Sequence, residues 1–270
     1  MSIEAALLTD IGRRRAQNQD SGGSFPEMNL FVVADGMGGH RGGEVASRMA
    51  VDTIHEVMTS SLKAGRTPAE ALELAAKAAN AKIMERSKKE EELEGMGTTA
   101  TTLYFDLAKS DNGAKSRALV GHVGDSRCYL LRPDGIWQIT RDHALVQEKL
   151  RAGMITRDQL KTDRMKNVIT RSVGFDLQFG IDLYEYEPAE GDLFLICSDG
   201  LTGPLEDAMI YDIACEIFFD VIEEEKADGT PCAFGAHLAK LAEALVRAAN
   251  DRGGDDNITA LVARYSGDTK

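Results

Sequence analysis

Four aspartates share one sequence context, in which a stretch of mainly apolar or small residues meets glycine or small polar residues. They are Asp35 in LFVVADGMGGH, Asp125 in ALVGHVGDSR, Asp199 in DLFLICSDGL and Asp256 in RGGDDNITALV. The apolar stretches are typical of buried strands, so the pattern places each carboxylate at or beside the rim of a sheet. Carboxylates that converge there repel one another, and hard divalent cations bound through oxygen relieve that repulsion. The pattern indicates a metal site assembled from distant segments.

Each of these aspartates, taken alone, also has a purely structural explanation. Asp35-Gly36 could bridge two metals, with the glycine carbonyl free to approach an ion, but a plain strand-to-helix turn explains the pair equally well. The Asp-Gly pair in Pro133-Asp134-Gly135 is an example of the structural explanation. Its neighbours explain it fully as a hairpin turn, so Asp134 is no ligand candidate. Three or four aspartates built the same way favour the metal site.

Arg15 is the candidate partner for an anion. A guanidinium can hold two phosphate oxygens at once, although Arg15 also fits a solvated residue of the triplet 13–15. The glycine-rich segment GMGGHRG also suggests a nucleotide-binding enzyme. That segment lacks the Lys-Ser/Thr of a phosphate-binding loop and breaks the GxGxxG spacing. The chain also has no GxSxG elbow, and its cysteines lack the loop that a thiol phosphatase needs.

The remaining sequence predicts the elements that position these residues. Strands are predicted in blocks with helices mainly between the blocks, which favours antiparallel sheets covered by helices. The predicted elements are strands at 5–12 and 29–35, helices at 44–58 and 68–95, strands from Thr98 to 140, two short helices broken at Gly153 within 143–165, a strand pair at 168–174 and 179–188, a mainly helical segment at 205–250 with an acidic loop at 222–232, and a last strand at 257–265.

Composition limits the class of protein. The 270 residues are 43% apolar and 28% charged, which is typical of a globular protein, and no linker divides them, so we expect a single domain over 1–270. The net charge of −13 disfavours nucleic acid or anionic lipid as the main partner. There is no secretory signal, no membrane span and no CxxC pair, and Cys128 and Cys197 lie in strand-like runs. We expect a reduced, cytoplasmic protein.

Six motifs, in this order, resemble one family. They are R-A-Q-N-Q-D (15–20), V-A-D-G-M-G-G-H (33–40), G-M-G-T-T (95–99), G-H-V-G-D-S-R (121–127), S-D-G-L (198–201) and D-N-I-T (256–259). The chain is similar, over essentially its whole length, to the bacterial metal-dependent protein phosphatases of the 2C type, the PPM family. The stretches 142–148 and 167–174 resemble that family too. The resemblance implies an α+β fold, a four-layer α-β-β-α sandwich of two antiparallel sheets flanked by helices, with a flap at about 143–165.

The resemblance also implies an activity and a set of site residues. The activity is hydrolysis of phosphoserine and phosphothreonine by direct attack of a metal-activated water, with no phosphoenzyme. The cofactors are two Mn²⁺ or Mg²⁺ ions and a weaker third. The implied roles are Asp35 as the bridging ligand, the Gly36 carbonyl on the first metal, Asp20 near the first metal through water, Asp199 and Asp256 on the second metal, Asp125 with Asp199 on the third, and Arg15 on the substrate phosphate.

Two positions depart from the family pattern. Met37 stands where the animal forms have a histidine proposed to protonate the leaving group, and His40 is not assigned that role. Gln19 stands where many members have glutamate, which would leave the first metal more hydrated. The competing hypothesis is a catalytically weak or inactive member that serves as a regulatory or binding module. It would be favoured if ligand aspartates were missing, and all are present.

The expected partners are phosphoserine and phosphothreonine proteins, including a serine/threonine kinase or its targets, and the expected state is a monomer. The acidic segment 223–228 is either a partner surface or an unstructured insertion.

Overall fold

Two antiparallel sheets form the centre of the protein. The computed structural model describes residues 1–38, 41–107, 115–160, 162–175, 180–229 and 232–267. The strands are β1 (Ser2–Asp10), β2 (Asp20–Phe25), β3 (Leu30–Met37), β4 (Gly97–Thr98), β5 (Ala100–Asp106), β6 (Arg117–Val123), β7 (Arg127–Arg132), β8 (Gly135–Gln138), β9 (Asp182–Tyr186), β10 (Leu193–Cys197) and β11 (Ile258–Ser266). One sheet has the order β1-β11-β10-β7-β8. The other has the order β2-β3-β5-β6-β9, with β4 paired to β3.

Helices cover the outer face of each sheet. The helices of the described residues are α1 (Gly42–Lys63), α2 (Pro68–Lys89), α3 (Leu145–Arg151), α4 (Asp199–Thr202), α5 (Asp207–Ala214), α6 (Asp220–Asp228) and α7 (Phe234–Asp251). A π-helical turn, Cys215–Phe219, joins α5 to α6. Helices α1 and α2 pack on the second sheet, and α5 to α7 pack on the first. The result is the expected four-layer α-β-β-α arrangement.

The central core lies between the two sheets, where alternating side chains of the facing strands meet. Phe31 of β3, Phe105 of β5 and Phe194 of β10 are fully buried there. Phe105 contacts Phe194 edge to face, with ring centroids 5.3 Å apart. This apolar layer holds the two sheets in one relative position, so the residues at their common rim also keep a fixed spacing.

Two local predictions are confirmed by their hydrogen bonds. Helix α2 begins after Thr67, whose hydroxyl accepts from the Glu70 amide while the Glu70 carboxylate accepts from the Thr67 amide, a capping box followed by Pro68. The Pro133-Asp134-Gly135 turn joins β7 to β8, with Arg132 opposite Gly135. The turn aspartate therefore has the structural role that its neighbours indicated.

Three local predictions are wrong. The second of the two helices predicted within 143–165 is a single 3-10 turn, Arg157–Gln159. Residues 168–174 are not a strand but make isolated bridges, Thr98 with Val173 and Ala144 with Ile169. The acidic segment is helical through Asp228, because Ile222 is buried under the first sheet and the Glu225 carboxylate bonds the buried His237 ring at 2.9 Å.

Within the part of the chain that the structure describes, no helix has both the length and the apolar character that a bilayer crossing requires.

Candidate metal centre

Asp20 and Asp35 face each other on neighbouring strands. They are paired residues in the β2–β3 ladder. One carboxylate oxygen of Asp20, Oδ2, accepts from the Ser198 hydroxyl and from the Thr259 hydroxyl, each at 2.7 Å. These two donors belong to the other sheet and its rim. Asp20 is therefore one point at which hydrogen bonds join the two sheets at the site.

The backbone of Asp35 is fixed by two threonines. Its amide donates to the Thr99 hydroxyl at 2.8 Å, and its carbonyl accepts from the Thr99 amide at 2.8 Å and the Thr98 hydroxyl at 2.9 Å. The Thr99 hydroxyl also bonds the Ser126 hydroxyl at 2.7 Å. This contact links Asp35 to the loop that carries Asp125, so two predicted ligands share one rigid support.

Asp199 and Asp256 complete the cluster from the first sheet. Asp199 follows β10 as the first residue of α4, and its carboxyl group lies close enough to Asp35 for the two to interact. Gly200 packs so closely on the last strand that an added Cβ would lie 2.0 Å from the Asn257 carbonyl oxygen. That close approach brings Asp256 to Asp199. The five predicted carboxylates, at residues 20, 35, 125, 199 and 256, thus converge at one rim.

The electrostatics of this rim oppose negative charge. Burial, and then the charges of Asp20 and Asp199, raise the pKa of Asp35 well above its ordinary value. Burial raises the pKa of Asp20 to about 7 despite its two hydroxyl donors, and burial followed by Asp199 raises the pKa of Asp125 to about 8. Burial and the charge of Asp256 raise the pKa of Asp199 as well. Four acids that resist ionisation in one place require positive charge from outside the chain.

Asp125 gives a direct sign of a missing partner. Its Oδ1 is buried and has no hydrogen-bond partner among the residues that the structure describes. Arg127, two residues on, does not fill that place, because its guanidinium makes a two-nitrogen contact with Asp142 at 2.7 and 3.0 Å. A buried oxygen of a carboxylate is costly to leave unsatisfied, and a cation satisfies it.

These residues fit divalent cations by their chemistry. All the donors are oxygens, which is the preference of Mg²⁺ and Mn²⁺. No set of three or more His, Cys, Asp or Glu side chains within the described ranges already has the arrangement of a finished metal site. The indication of cation binding is therefore the uncompensated charge and the unsatisfied Asp125 oxygen.

Arg15 lies at the edge of the cluster. Its Nη2 contacts Asp256 Oδ2 at 2.6 Å, and half of the arginine side chain is exposed. An exposed ion pair of this kind contributes little to stability, so it can exchange for another anion at small cost. The guanidinium is accordingly placed to contact a phosphate that approaches the carboxylates from solvent.

The flap predicted at 143–165 begins at the Asp125 loop. The His143 amide donates to the Gly124 carbonyl at 2.7 Å, and its Nδ1 accepts from the Gly124 amide at 3.0 Å. Nδ1 is thus unprotonated, and Nε2 donates to Asp182 at 3.1 Å. Burial lowers the pKa of His143, which keeps the ring in this neutral form. These bonds hold the start of the segment 143–165 and the loop that carries Asp125 as one unit.

The two residues that depart from the family pattern are Met37 and Gln19. Met37 ends β3 beside the cluster, and Gln19 precedes Asp20, with its carbonyl accepting from the Gly36 amide at 3.1 Å. His40 lies outside the described residues.

Sequence reasoning missed the residues that hold the carboxylates. They are Thr98, Thr99, Ser126, Ser198, Asn257 and Thr259. All six lie inside the motifs G-M-G-T-T, G-D-S-R, S-D-G-L and D-N-I-T, next to or near an assigned aspartate. A small polar residue within such a motif was therefore the available signal.

Gly36→Ala is expected to destabilise the protein strongly and to disrupt the cluster. An added Cβ would lie 2.0 Å from the Gly43 carbonyl oxygen and 2.6 Å from the Gln19 carbonyl oxygen, both backbone atoms that cannot turn away. We expect a loss of about 3 kcal/mol or more in the free energy of unfolding, measured by urea denaturation.

Gly235→Ala is the matched control for that substitution. Its Cβ would meet only the mobile end of Glu4, 3.4 Å away, in helix α7. It should change stability by less than about 1 kcal/mol. Equal urea midpoints for Gly36→Ala and Gly235→Ala would contradict the close backbone approach at Gly36.

Comparison with known proteins gives the same family. The profile of protein phosphatase 2C matches residues 12–246. The chain is 34% identical over 265 residues to the serine/threonine phosphatase stp of Listeria innocua, covering 96% of this chain and 95% of that protein. It is 35% identical to the protein phosphatase PhpP of Streptococcus pneumoniae, covering 99% and 100%.

A solved structure agrees with these relatives. The catalytic domain of the serine threonine protein phosphatase PstP, in complex with two manganese ions, matches with a TM-score of 0.77 and 30% identity, covering 98% of this chain and 99% of that one. The fold, the order of the motifs and the match over nearly the whole length lead to one conclusion: the chain belongs to the protein phosphatase 2C family of metal-dependent serine/threonine protein phosphatases.

Proposed function

We propose that residues 1–270 form a single phosphatase domain that hydrolyses phosphoserine and phosphothreonine in proteins at the centre built around Asp35. The observation that carries this proposal is the convergence of five carboxylates, four of them with a raised pKa, beside one exposed arginine. Such a site holds cations on one side and a phosphate on the other. The two manganese ions in the PstP structure support the first part.

The carboxylates divide by their position in the fold. Asp35, on β3, would be the ligand shared by the two core ions, and the Gly36 carbonyl and Asp20 would help to hold the first. Asp199 and Asp256, which come from the first sheet, would hold the second. Asp125 and Asp199 would hold a weaker third, which would satisfy the buried Asp125 Oδ1. We propose Mn²⁺ or Mg²⁺, because every donor is an oxygen.

The chain's own residues bind and orient the substrate. Arg15 leaves Asp256 and holds two oxygens of the phosphate, which fixes the phosphorus in front of the carboxylate cluster. When bound, the cations lower the pKa of water and offset charge on the phosphoryl oxygens. Asp20, held by two hydroxyls, and Asp35, held by two threonines, keep the site rigid during the reaction.

The two cysteines in the strands, Cys128 and Cys197, do not supply a nucleophile. Cys128 and Cys197 are fully buried in the strands β7 and β10. Burial raises the pKa of Cys197 to about 12 and that of Cys128 further still, so neither is a thiolate at neutral pH. Direct attack by water, with no phosphoenzyme, is the route that the site supports.

Substrates approach beside the flap. Met154 and Met165 in this segment are 72% and 42% exposed, and flexible methionine side chains suit contacts with varied protein surfaces. We propose as partners phosphoproteins that include a serine/threonine kinase or its targets, and a monomeric enzyme in the cytoplasm. All four cysteines are unpaired, which is compatible with a reducing compartment.

The direct test is hydrolysis of p-nitrophenyl phosphate and of a phosphothreonine peptide by the purified protein. We expect turnover with Mn²⁺, none with chelator, and none for Asp199→Ala. Asp134→Ala is the control, because Asp134 belongs to the β7–β8 turn and should leave the rate unchanged. Turnover without metal would contradict the mechanism. Calorimetry that showed no Mn²⁺ binding would favour the inactive regulatory module.

A further inference from the structure

The side chain of Asn257 holds both ends of the loop that carries Arg15. Its Nδ2 donates to the Ile11 carbonyl at 3.0 Å and to the Gln17 carbonyl at 2.9 Å. Its Oδ1 accepts from the Gln19 amide at 2.8 Å. Both donor hydrogens and the amide oxygen are therefore used on backbone groups that bracket Arg15. The residue is only 4% exposed, and its three side-chain bonds are partly buried.

The same loop lies directly on the segment before Asn257. The Arg13 amide donates to the Gly254 carbonyl at 2.7 Å. An added Cβ at Gly12, where φ is +77°, would lie 2.2 Å from the Asp256 carbonyl oxygen. The loop 11–19 and the segment 254–257 are thus in backbone contact, and Asn257 supplies the buried side-chain bonds between them.

The Arg15–Asp256 ion pair alone cannot hold the loop 11–19 in place. The side chains are 50% and 36% exposed, and exposed ion pairs are screened and contribute little. The Asn257 side chain is buried and its bonds are partly buried, and removing it leaves two carbonyls and one amide without this partner. The position of the loop therefore depends on the amide of Asn257 more than on the charge of Asp256.

We infer that Asn257 is a positioning residue that fixes the Arg15 loop relative to the metal ligand Asp256, so that phosphate is captured in register with the cations. The inference rests on the proposed function, since it takes Arg15 as the phosphate ligand. It adds that two adjacent residues, just before strand β11, serve the two halves of the site. Asp256 serves the cation side, and Asn257 serves the phosphate side.

Asn257→Ala should separate these two halves. The Asn257 backbone amide donates to Asp256 Oδ1 at 2.9 Å, and alanine keeps that bond. Mn²⁺ affinity should therefore change less than about threefold, whereas loss of the hydrogen bonds that hold the Arg15 loop should weaken phosphate capture by about tenfold or more. A general loosening of the fold would lower both affinities together.

The experiment uses the whole chain and inorganic phosphate as the probe. We would measure the inhibition constant of phosphate and the KM for p-nitrophenyl phosphate at saturating Mn²⁺, and Mn²⁺ affinity by calorimetry. Asn80→Ala is the control for loss of a buried amide, because Asn80 is 7% exposed and bonds the Gly174 amide, not the Arg15 loop. Only Asn257→Ala should raise the phosphate constant and KM while sparing Mn²⁺ affinity.

A double-mutant cycle with Arg15→Ala tests the route of the effect. If Asn257 acts by placing Arg15, its removal should weaken phosphate binding little further once Arg15 is gone. Effects that multiply would overturn the inference, and so would an equal loss of Mn²⁺ affinity.

Hydrogen exchange gives a readout that needs no activity. In Asn257→Ala the amides of residues 11–20 should exchange faster than in the wild type or Asn80→Ala, because the Gln19 amide loses its acceptor. Unchanged exchange overturns the positioning role even if the enzyme is active. A wild type without metal-dependent hydrolysis overturns the proposed function instead, and the exchange result still decides whether Asn257 holds the loop.

Discussion

Asp35→Asn is expected to abolish metal-dependent hydrolysis and, at the same time, to raise the stability of the metal-free protein. Asp35 is the proposed bridging ligand, and an amide in its place cannot supply the negative charge that two cations share. We expect kcat/KM to fall by about three orders of magnitude, equivalent to roughly 4 kcal/mol of transition-state stabilisation.

The gain in stability follows from the same charge cluster. Burial and the neighbouring carboxylates raise the pKa of Asp35 well above its ordinary value, so at neutral pH its ionisation opposes folding. Asparagine is neutral and nearly the same shape, and its amide can still donate to Asp199. The melting temperature of the metal-free variant should exceed that of the wild type, and added Mn²⁺ should stabilise the variant far less than the wild type.

A second buried aspartate provides the contrast. Asp192 is 2% exposed and accepts two hydrogen bonds from Arg132, at 2.6 and 2.9 Å. Asp192→Asn should therefore lower the melting temperature and leave the response to Mn²⁺ unchanged. Calorimetric melts of both variants with and without Mn²⁺ measure the difference. A fall in stability for both would show that Asp35 has an ordinary structural role.

Two of the aspartates proposed as ligands could be proposed from the sequence because their signals are local. Asp35 and Asp199 each follow an apolar strand whose pattern is visible within a few residues. Asp20 follows no such strand. It opens β2, DSGGSF, which has little hydrophobic alternation and becomes a strand only by pairing with β3. Gly22 and Gly23 fit there because Leu7 and Val51 pack against them, contacts that no local pattern contains.

The residues that support the ligands were hidden for a similar reason. Thr259 and Ser198 bond Asp20 from 239 and 178 positions away in the chain. Asn257 reaches Gln17 across 240 positions. A small polar residue inside a motif can be noted from the sequence, but its distant partner cannot, because the fold must bring the two sheets together before the bonds exist. Local sequence thus indicates the ligands, whereas their rigidity is a property of the assembled sandwich.

The stability of the metal-free protein is expected to fall as the pH rises from about 5 to about 8, and bound Mg²⁺ should remove that dependence. Asp20 and Asp125 have pKa values of about 7 and about 8, raised mainly by burial from the ordinary 3.8. Between pH about 5 and pH about 8, Asp20 and Asp125 hold protons in the folded protein that they have lost in the unfolded chain. Raising the pH takes those protons away and leaves charged carboxylates in a buried cluster, so folding is disfavoured.

The size of the effect follows from linkage. Each proton held only by the folded state changes the free energy of unfolding by up to about 1.4 kcal/mol per pH unit. Cations that bind the ionised carboxylates compete with these protons, so the rise in melting temperature caused by Mg²⁺ should grow with pH.

Melting curves at pH about 5.5, 6.5 and 7.5, with chelator or with saturating Mg²⁺, measure this dependence. Asp125→Asn should flatten the upper part of the metal-free curve, because the carboxyl group with the higher of these two pKa values is gone. Asp134→Asn, in the β7–β8 turn, should leave the curve unchanged. A stabilisation by Mg²⁺ that is the same at every pH would mean that the cations do not displace protons from this cluster, and the carboxylates would then not be their ligands.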